Sequence, residues 1–380
     1  MTGSLINRRL LPLPMIAALL TGCATTGGSY RVPAVDAPPA FAAQPAGMTS
    51  TAVEARWWQV FADPVLDGLI TRALDANPDA RIALARVKEA RALAGVARSD
   101  RLPSGSAGAA YQRRRLADFQ RLGVLPRTVD QFSASAEVGW ELDLFGRVQR
   151  SVDAAEAELG GAGALLAASR VTVMADVASR YVDLRTAQAQ LRLADAARAN
   201  AARILDMARH QAEAGTGSAL DVLAAESRLR EVSAAVPTHV RDVAVARHAL
   251  AVLLGEAPQA FSVPDASQQA PIVQQVAVGT PAELLRRRPD IRAAERALAA
   301  TSARAGMARA ELFPRLGITG FIGLLAGGIG NLFTGGALAM SAGPTMSWSL
   351  FDLPRLKSQV GAADARTEAA LIVYHRTVLD

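Results

Sequence analysis

The sequence predicts a mixed, membrane-associated fold in which long coiled-coil helices adjoin transmembrane β-strands, with the whole pattern duplicated along the chain. Three observations carry this expectation. Residues from about Arg147 to Glu213 contain no proline, and Met174, Val177, Tyr181, Leu184 and Leu191 keep a 3,4 apolar seam within them. Stretches leading to Trp140 and Trp348 alternate between apolar and polar or small residues, the period of a strand with two different faces. A segment around Pro78 recurs around Pro289.

The first element is a leader. Arg8 and Arg9 precede an apolar run from Leu10 to Leu20 that ends in "LTGC", the layout of a secretory signal over residues 1–22. Pro12 and Pro14 interrupt the run, and spanning a bilayer takes about 20 apolar residues, so a retained transmembrane helix is not expected. Cys23 is the one cysteine, which rules out an internal disulfide framework or thiolate metal cluster. "LTGC" resembles a bacterial lipobox, implying cleavage before Cys23 and lipid on its thiol and new amino group. By the same resemblance, Ala24 in place of Asp favours sorting to the outer membrane. Residues 23–51, rich in Pro, Ala, Gly, Ser and Thr, read as an extended, lipidated tether.

The first repeat is expected over 52–258. "ALDANPDARIALARVKEARALAGVARSDRLP" (73–103) aligns with "ELLRRRPDIRAAERALAATSARAGMARAELFP" (283–314), and Pro78 to Pro103 has the same spacing as Pro289 to Pro314. Each segment opens on Pro-Asp, where a missing proline N–H costs a helix nothing, and closes on a proline that stops it. A Gly/Ser/Ala stretch and a charged loop, "RRRLADFQRLGVLPRTVD", then lead to the alternating strand. Phe132, Ala134, Ala136, Val138, Trp140, Leu142 and Leu144 share one side, with Ser133, Ser135, Glu137, Gly139, Glu141 and Asp143 on the other. Such strands match a transmembrane barrel, with Val138 and Trp140 toward lipid. The alternation alone fits a half-buried soluble sheet equally well, and the tether tilts the balance to membrane.

The helix after Gly146 would be roughly 100 Å long at 1.5 Å per residue. "EAGTGSALDV" breaks it, with Gly215 and Gly217 suited to positive φ and Thr216 or Ser218 to capping. The return helix keeps heptad spacing from Val222 through Ala225, Leu229, Val232, Val236, His239, Val243, Ala246, Leu250 and Leu253, so a coiled-coil hairpin is expected, kinked at Pro237. A linker (259–280) leads to the second repeat (281–380), where Met346 and Trp348 occupy the lipid side of the corresponding strand.

Four strands leave edges whose backbone groups have no partner in hydrocarbon, so several chains must share one barrel. The net charge of +6 arises from arginines scattered among acids rather than a basic stripe interleaved with aromatics, which argues against nucleic-acid binding. The four histidines are far apart, and no nucleotide-binding or nucleophile-elbow motif occurs, so neither catalysis nor a metal or other cofactor is expected.

"WWQVFADPVLDGLITRALDANPDARIALARVKEARA", "WELDLFGRVQRSVDAAEAE", "AGTGSALDVLAAESRL", "HALAVLLGEAP" and "PAELLRRRPDIRAAERALAATSARAGMARAELFPRLGITG" together resemble the outer-membrane factors of tripartite efflux systems, the TolC-like, NodT/OprM-type lipoproteins. The resemblance runs from Trp57 almost to the C-terminus. It implies a homotrimer in which four strands per protomer build a twelve-stranded barrel, continued through the periplasm by the helices. Glu137, Glu141 and Asp143 would face the lumen, and Val138, Trp140, Met346 and Trp348 the lipid of a Gram-negative outer membrane. A periplasmic adaptor would dock at Gly215, Thr216, Gly217, Ser218, Leu220, Asp221 and Val222, linking the duct to an inner-membrane pump for small molecules. A type I protein-export duct and a non-conducting coiled-coil lipoprotein are the alternatives. The chain stops at "YHRTVLD", inside what should be the second long helix, and so reads as a fragment of a longer protein.

Overall fold

The computed structural model describes residues 30–34, 38, 40–41, 48–49, 56–121, 126–264 and 276–380. Cys23 and most of the expected tether lie outside them. In chain order the elements are β1 (Met48–Thr49), α1 (Pro64–Ala76), α2 (Pro78–Ser99), β2 (Ser104–Arg115), β3 (Thr128–Leu142), α3 (Arg147–Glu213) and α4 (Ala219–Leu253). β4 (Val276–Ala277), α5 (Pro281–Arg287), α6 (Pro289–Ala310), β5 (Arg315–Ala326), β6 (Leu338–Ser347) and α7 (Leu353–Leu379) follow. The chain divides into two compact units, one of residues 1–34, 88–161 and 293–380, the other of residues 35–87 and 162–292.

The duplication is visible in the elements. α2 and α6 each run 22 residues, β2 and β5 each run 12, and Pro103 and Pro314 each stand one residue before a strand. In the first unit the four long strands form one antiparallel sheet in the order β2-β3-β5-β6. The two hairpins are thus joined through β3 and β5. Pro344 lies in β6, an edge strand, as expected of a residue with no N–H to give a ladder. Nearby in this unit, Ala157, Ala299 and Ala300 pack together with Tyr30 against them.

The second unit has the larger core. Trp58, Leu66, Leu69, Ile70 and Ala73 pack with Val173, Val177, Tyr181 and Leu184 of α3, and with Leu250, Ala251 and Leu254 at the end of α4. Val177, Tyr181, Leu184 and Leu250 are seam positions of the two long helices, Val173, Ala251 and Leu254 are their off-seam neighbours, and the burial of both sets is the main force holding α1 there. Caps set the helix starts. Asp63 Oδ1 accepts the Val65 and Leu66 N–H groups at 2.8 and 3.2 Å, while its Oδ2 accepts the Tyr181 hydroxyl at 2.5 Å. Asn77, 2% exposed, caps α2 by accepting from Asp79 and Ala80, and its amide donates to the Leu253 carbonyl at 2.8 Å. Arg288 holds the equivalent position in the second repeat and makes a two-pronged ion pair with Asp290 instead. That pair holds the Asp290 carboxyl below its usual range.

Several expectations need correction. β2 extends to Arg115 and β3 starts at Thr128, so Arg113, Arg114 and Arg115 belong to a strand rather than the charged loop. β3 stops at Leu142 and β6 at Ser347, so Asp143 and Trp348 lie just past their strands. Met48–Thr49 of the tether pair in parallel with Val276–Ala277 of the linker, where no order was expected. Pro237 lies inside α4, as the sequence places it.

Candidate functional site

Strand register decides which side chains share a face, because neighbouring residues on a strand point oppositely. Val138 and Trp140 of β3 lie on one face with Ala107 and Tyr111 of β2, Ile318 and Ile322 of β5, and Leu338, Met340 and Met346 of β6. Ser106, Glu137, Glu141, Thr319, Ser341 and Thr345 occupy the other. The alternation read along one strand therefore continues across all four. The apolar face is open: Met340 is 69% and Met346 68% exposed, and Val138, Ile322 and Leu338 are exposed as well. Such a continuous exposed apolar surface marks contact with lipid or another protein. Phe321, opposite Glu137, is the one large aromatic side chain on the polar face. Gly323 has no room for a side chain, since a Cβ there would stand 2.8 Å from the Ser135 Cβ and 2.9 Å from the Phe321 ring.

Aromatic residues bound the apolar face at both ends. Tyr111 and Phe132 lie against each other near the hairpin tip, with centroids 4.7 Å apart and ring planes tilted by 33°. At the helix end, the Trp140 indole donates to the Arg101 carbonyl at 2.9 Å and the Trp348 indole to the Leu312 carbonyl at 3.1 Å. Arg101 and Leu312 each lie two residues before the repeat's closing proline, so the duplication is kept down to single hydrogen bonds. From Phe132 to Trp140 is about 27 Å along a strand, or about 20 Å of membrane at a tilt near 40°, comparable with the roughly 25 Å apolar band of outer-membrane barrels.

The acids at the junction have specific partners. Glu141 is held by Arg147 through two hydrogen bonds, at 2.8 and 2.6 Å. Asp143 caps α3, accepting the Val148 and Gln149 N–H groups at 3.0 and 2.7 Å, which corrects its expected place on a strand face. A helix N-terminus offers unpaired N–H groups and partial positive charge, and the carboxylate satisfies both. Gly146 takes φ 79° to turn the chain between them. Of the three expected lumen acids, Glu137 alone keeps a carboxylate on the open polar face with no protein partner among the described residues.

At the far end of the helix pair, Gly215 adopts φ 77°, and the Thr216 and Gly217 N–H groups return to the Gln211 carbonyl at 2.9 and 3.0 Å. Gly217 approaches the end of α3 so closely that a Cβ would lie 3.0 Å from the Gln211 Cβ. Ser218 and Asp221 form a reciprocal capping box, and the Ser218 hydrogen bonds hold the Asp221 carboxyl below its usual range. Leu220, 74% exposed, projects from this turn, whereas Val222 is half-buried on the heptad seam. All seam residues from Val222 to Ala246 are half-buried, as expected of a stripe facing a neighbouring helix. One stretch of α3 is long and apolar enough to cross a membrane by length and composition, with 22% of it buried; Val173 and Val177 of α3 lie in the core. Among the described residues no cluster of His, Cys, Asp or Glu could hold a metal.

A sheet with one open apolar face, joined without a linker to long helices, defines an outer-membrane channel protein of the helical-tunnel type. Residues 69–256 and 280–380 match the family described as outer membrane efflux protein. The chain is 31% identical over 371 residues to outer membrane protein OprJ of Pseudomonas aeruginosa, covering 96% of this chain and 77% of that protein. It is 31% identical over 381 residues to the toluene efflux pump outer membrane protein TtgI of Pseudomonas putida, covering 96% and 79%. The solved outer-membrane channel OprN superposes with a TM-score of 0.84 at 35% identity, covering 94% of this chain and 80% of that one. The chain belongs to the outer membrane efflux protein family, and is the outer-membrane component of a tripartite efflux system.

Proposed function

We propose that three copies assemble into a passive exit duct for small molecules, each contributing four strands to one twelve-stranded barrel. The carrying observation is the sheet itself: its apolar face is open along all four strands, and β2 and β6 are edges with no further partner among the described residues. In hydrocarbon such edges leave N–H and C=O groups unpaired at several kcal/mol each, and pairing β6 of one copy with β2 of the next removes them. On this reading Glu137 faces the lumen; Val138, Trp140 and Met346 face lipid, and Trp348 lies at the inner interface. The hairpin tip at Gly215–Ser218, with exposed Leu220, receives the periplasmic adaptor that couples the duct to an inner-membrane pump. Cys23 carries the lipid anchor, and Tyr30, shortly after it, holds the tether on Ala157, Ala299 and Ala300. The repeats at 52–258 and 281–380 each supply one hairpin and no catalytic chemistry. The name of the toluene-exporting relative supports small apolar compounds as cargo.

The test compares two adjacent positions. Val138→Arg places a charge against lipid at a cost of about 2 to 4 kcal/mol near the midplane and depletes membrane-assembled protein, whereas Glu137→Gln leaves assembly at the wild-type level. Equal loss in both variants contradicts the assignment of faces.

A further inference from the structure

The two hairpin tips differ sharply in charge. The tip joining β5 to β6, residues 327–337, contains no ionisable residue, whereas the one joining β2 to β3 is flanked by Arg113, Arg114, Arg115, Arg121 and Arg127, with Asp118 and Asp130 as the acids. Register divides the three consecutive arginines. Arg113 opposes Asp130 and Arg115 opposes Thr128 on the apolar face, while Arg114 is on the polar face, where it donates to the Gln131 side chain at 2.9 Å. Along the apolar face the order toward the tip is Val138, Ala136, Ala134, then the Tyr111–Phe132 pair, then Arg113 and Arg115. The arginines thus come immediately after the aromatic belt, at the height where hydrocarbon gives way to headgroups.

Their surroundings are built rather than random. The Tyr111 hydroxyl donates to Asp130 Oδ1 at 2.9 Å, and the same oxygen lies 3.6 Å from Arg113 Nε. Asp130 therefore steadies Arg113 from the strand side through Nε, and the Tyr111 hydroxyl lies against the same guanidinium, which remains 66% exposed. Arg115 has no partner among the described residues. Two guanidinium groups, alternate residues on one face and about 7 Å apart along the strand, share a single nearby carboxylate, so the patch keeps a net positive charge. Guanidinium groups bind phosphate oxygens in pairs and hold charge at any physiological pH.

We propose that Arg113 and Arg115 form a binding site for the phosphate of an outer-leaflet phosphorylated glycolipid, with its acyl chains lying along Tyr111, Phe132, Ala134 and Ala136. This rests on the lipid-facing assignment above, because the same arginines facing water would meet no headgroup. The site fixes the height of the barrel at its outer rim, where Trp140 and Trp348 do so at the inner one.

The full-length protein, extracted from outer membranes so that unassembled chains are not counted, is titrated with fluorescent bis-phosphorylated lipid A and with the same lipid after phosphatase treatment. Wild type is expected to prefer the phosphorylated form at least tenfold. Arg113→Gln with Arg115→Gln abolishes that preference, while Arg114→Gln, removing the same kind of charge from the other face, keeps it within twofold. Millimolar inorganic phosphate fails to compete. An unchanged preference in the double variant, an equal loss in Arg114→Gln, or full competition by inorganic phosphate each overturns the proposal. Those outcomes combined with selective loss of Val138→Arg leave the lipid-facing assignment standing, whereas indifference to both Val138→Arg and Glu137→Gln removes the assignment itself.

Discussion

Asn77 joins two backbone segments with one buried side chain: its oxygen caps α2 and its amide donates to the Leu253 carbonyl at the end of α4. Replacing it with alanine removes the cap and strands the Leu253 carbonyl, at a cost of about 2 kcal/mol, read as a lower unfolding midpoint in detergent. Asn77→Asp keeps the cap but buries a carboxylate oxygen against the Leu253 carbonyl, so it should destabilise at least as much as alanine. Asp221 has a pH signature. Its folded-state pKa is depressed, chiefly by the Ser218 hydroxyl, so its contribution is present above the ordinary aspartate range and is lost as pH falls through the folded value. Amide exchange at the first turn of α4 should quicken on that acid limb in wild type, and Asp221→Asn should flatten the response. Cys23→Ala should carry no palmitate; label appearing on that variant contradicts acylation at Cys23.

Elements were legible where one period ran long enough. The alternation up to Leu142 and the heptad stripe of α4 both exist because one face of each element must be covered over its whole length. Ends were not legible. Asp143 extends the strand pattern by residue type, yet the free N–H groups of α3 claim its carboxylate. Arg113 and Arg115 look like loop residues by composition, and the ladder to β3 makes them strand residues all the same. The pairing of Met48–Thr49 with Val276–Ala277 is two residues long and leaves no periodic trace. At the hairpin tip Gly215 takes the positive φ expected of it, whereas Gly217 does not and is instead kept small by its approach to Gln211. Leu220→Asp changes none of those contacts. It should abolish efflux while leaving the amount of protein in the outer membrane unchanged, and normal efflux in that variant would exclude the tip as the docking element.

The duplication makes a prediction for the assembled molecule. Glu137 of the first repeat opposes Phe321 of the second within the sheet. Carrying that register over the repeat, with Pro103 on Pro314 and Gly139 on Ser347, places Thr345 opposite Ala110 of the partner subunit. Apolar and polar faces then match across the new junction as they do at β3 and β5. An unrelated soluble sheet would have no reason to show this, because its edges would be satisfied by water. Closure by symmetry, as proposed, would account for a four-stranded sheet with two open edges and one face apolar to the last strand.

The most direct measurement of that closure is oxidative cross-linking of Thr345→Cys combined with Ala110→Cys in intact cells. Directly opposed Cβ atoms on neighbouring strands lie about 4.5 to 5.5 Å apart, close enough for a disulfide after a small adjustment. Closure predicts covalent dimers and trimers on a non-reducing gel, with Glu137→Cys and Phe321→Cys, the equivalent pair inside one chain, giving an internal link and no oligomer. A chain that forms the internal link but stays monomeric with the 345–110 pair would contradict a barrel shared between copies.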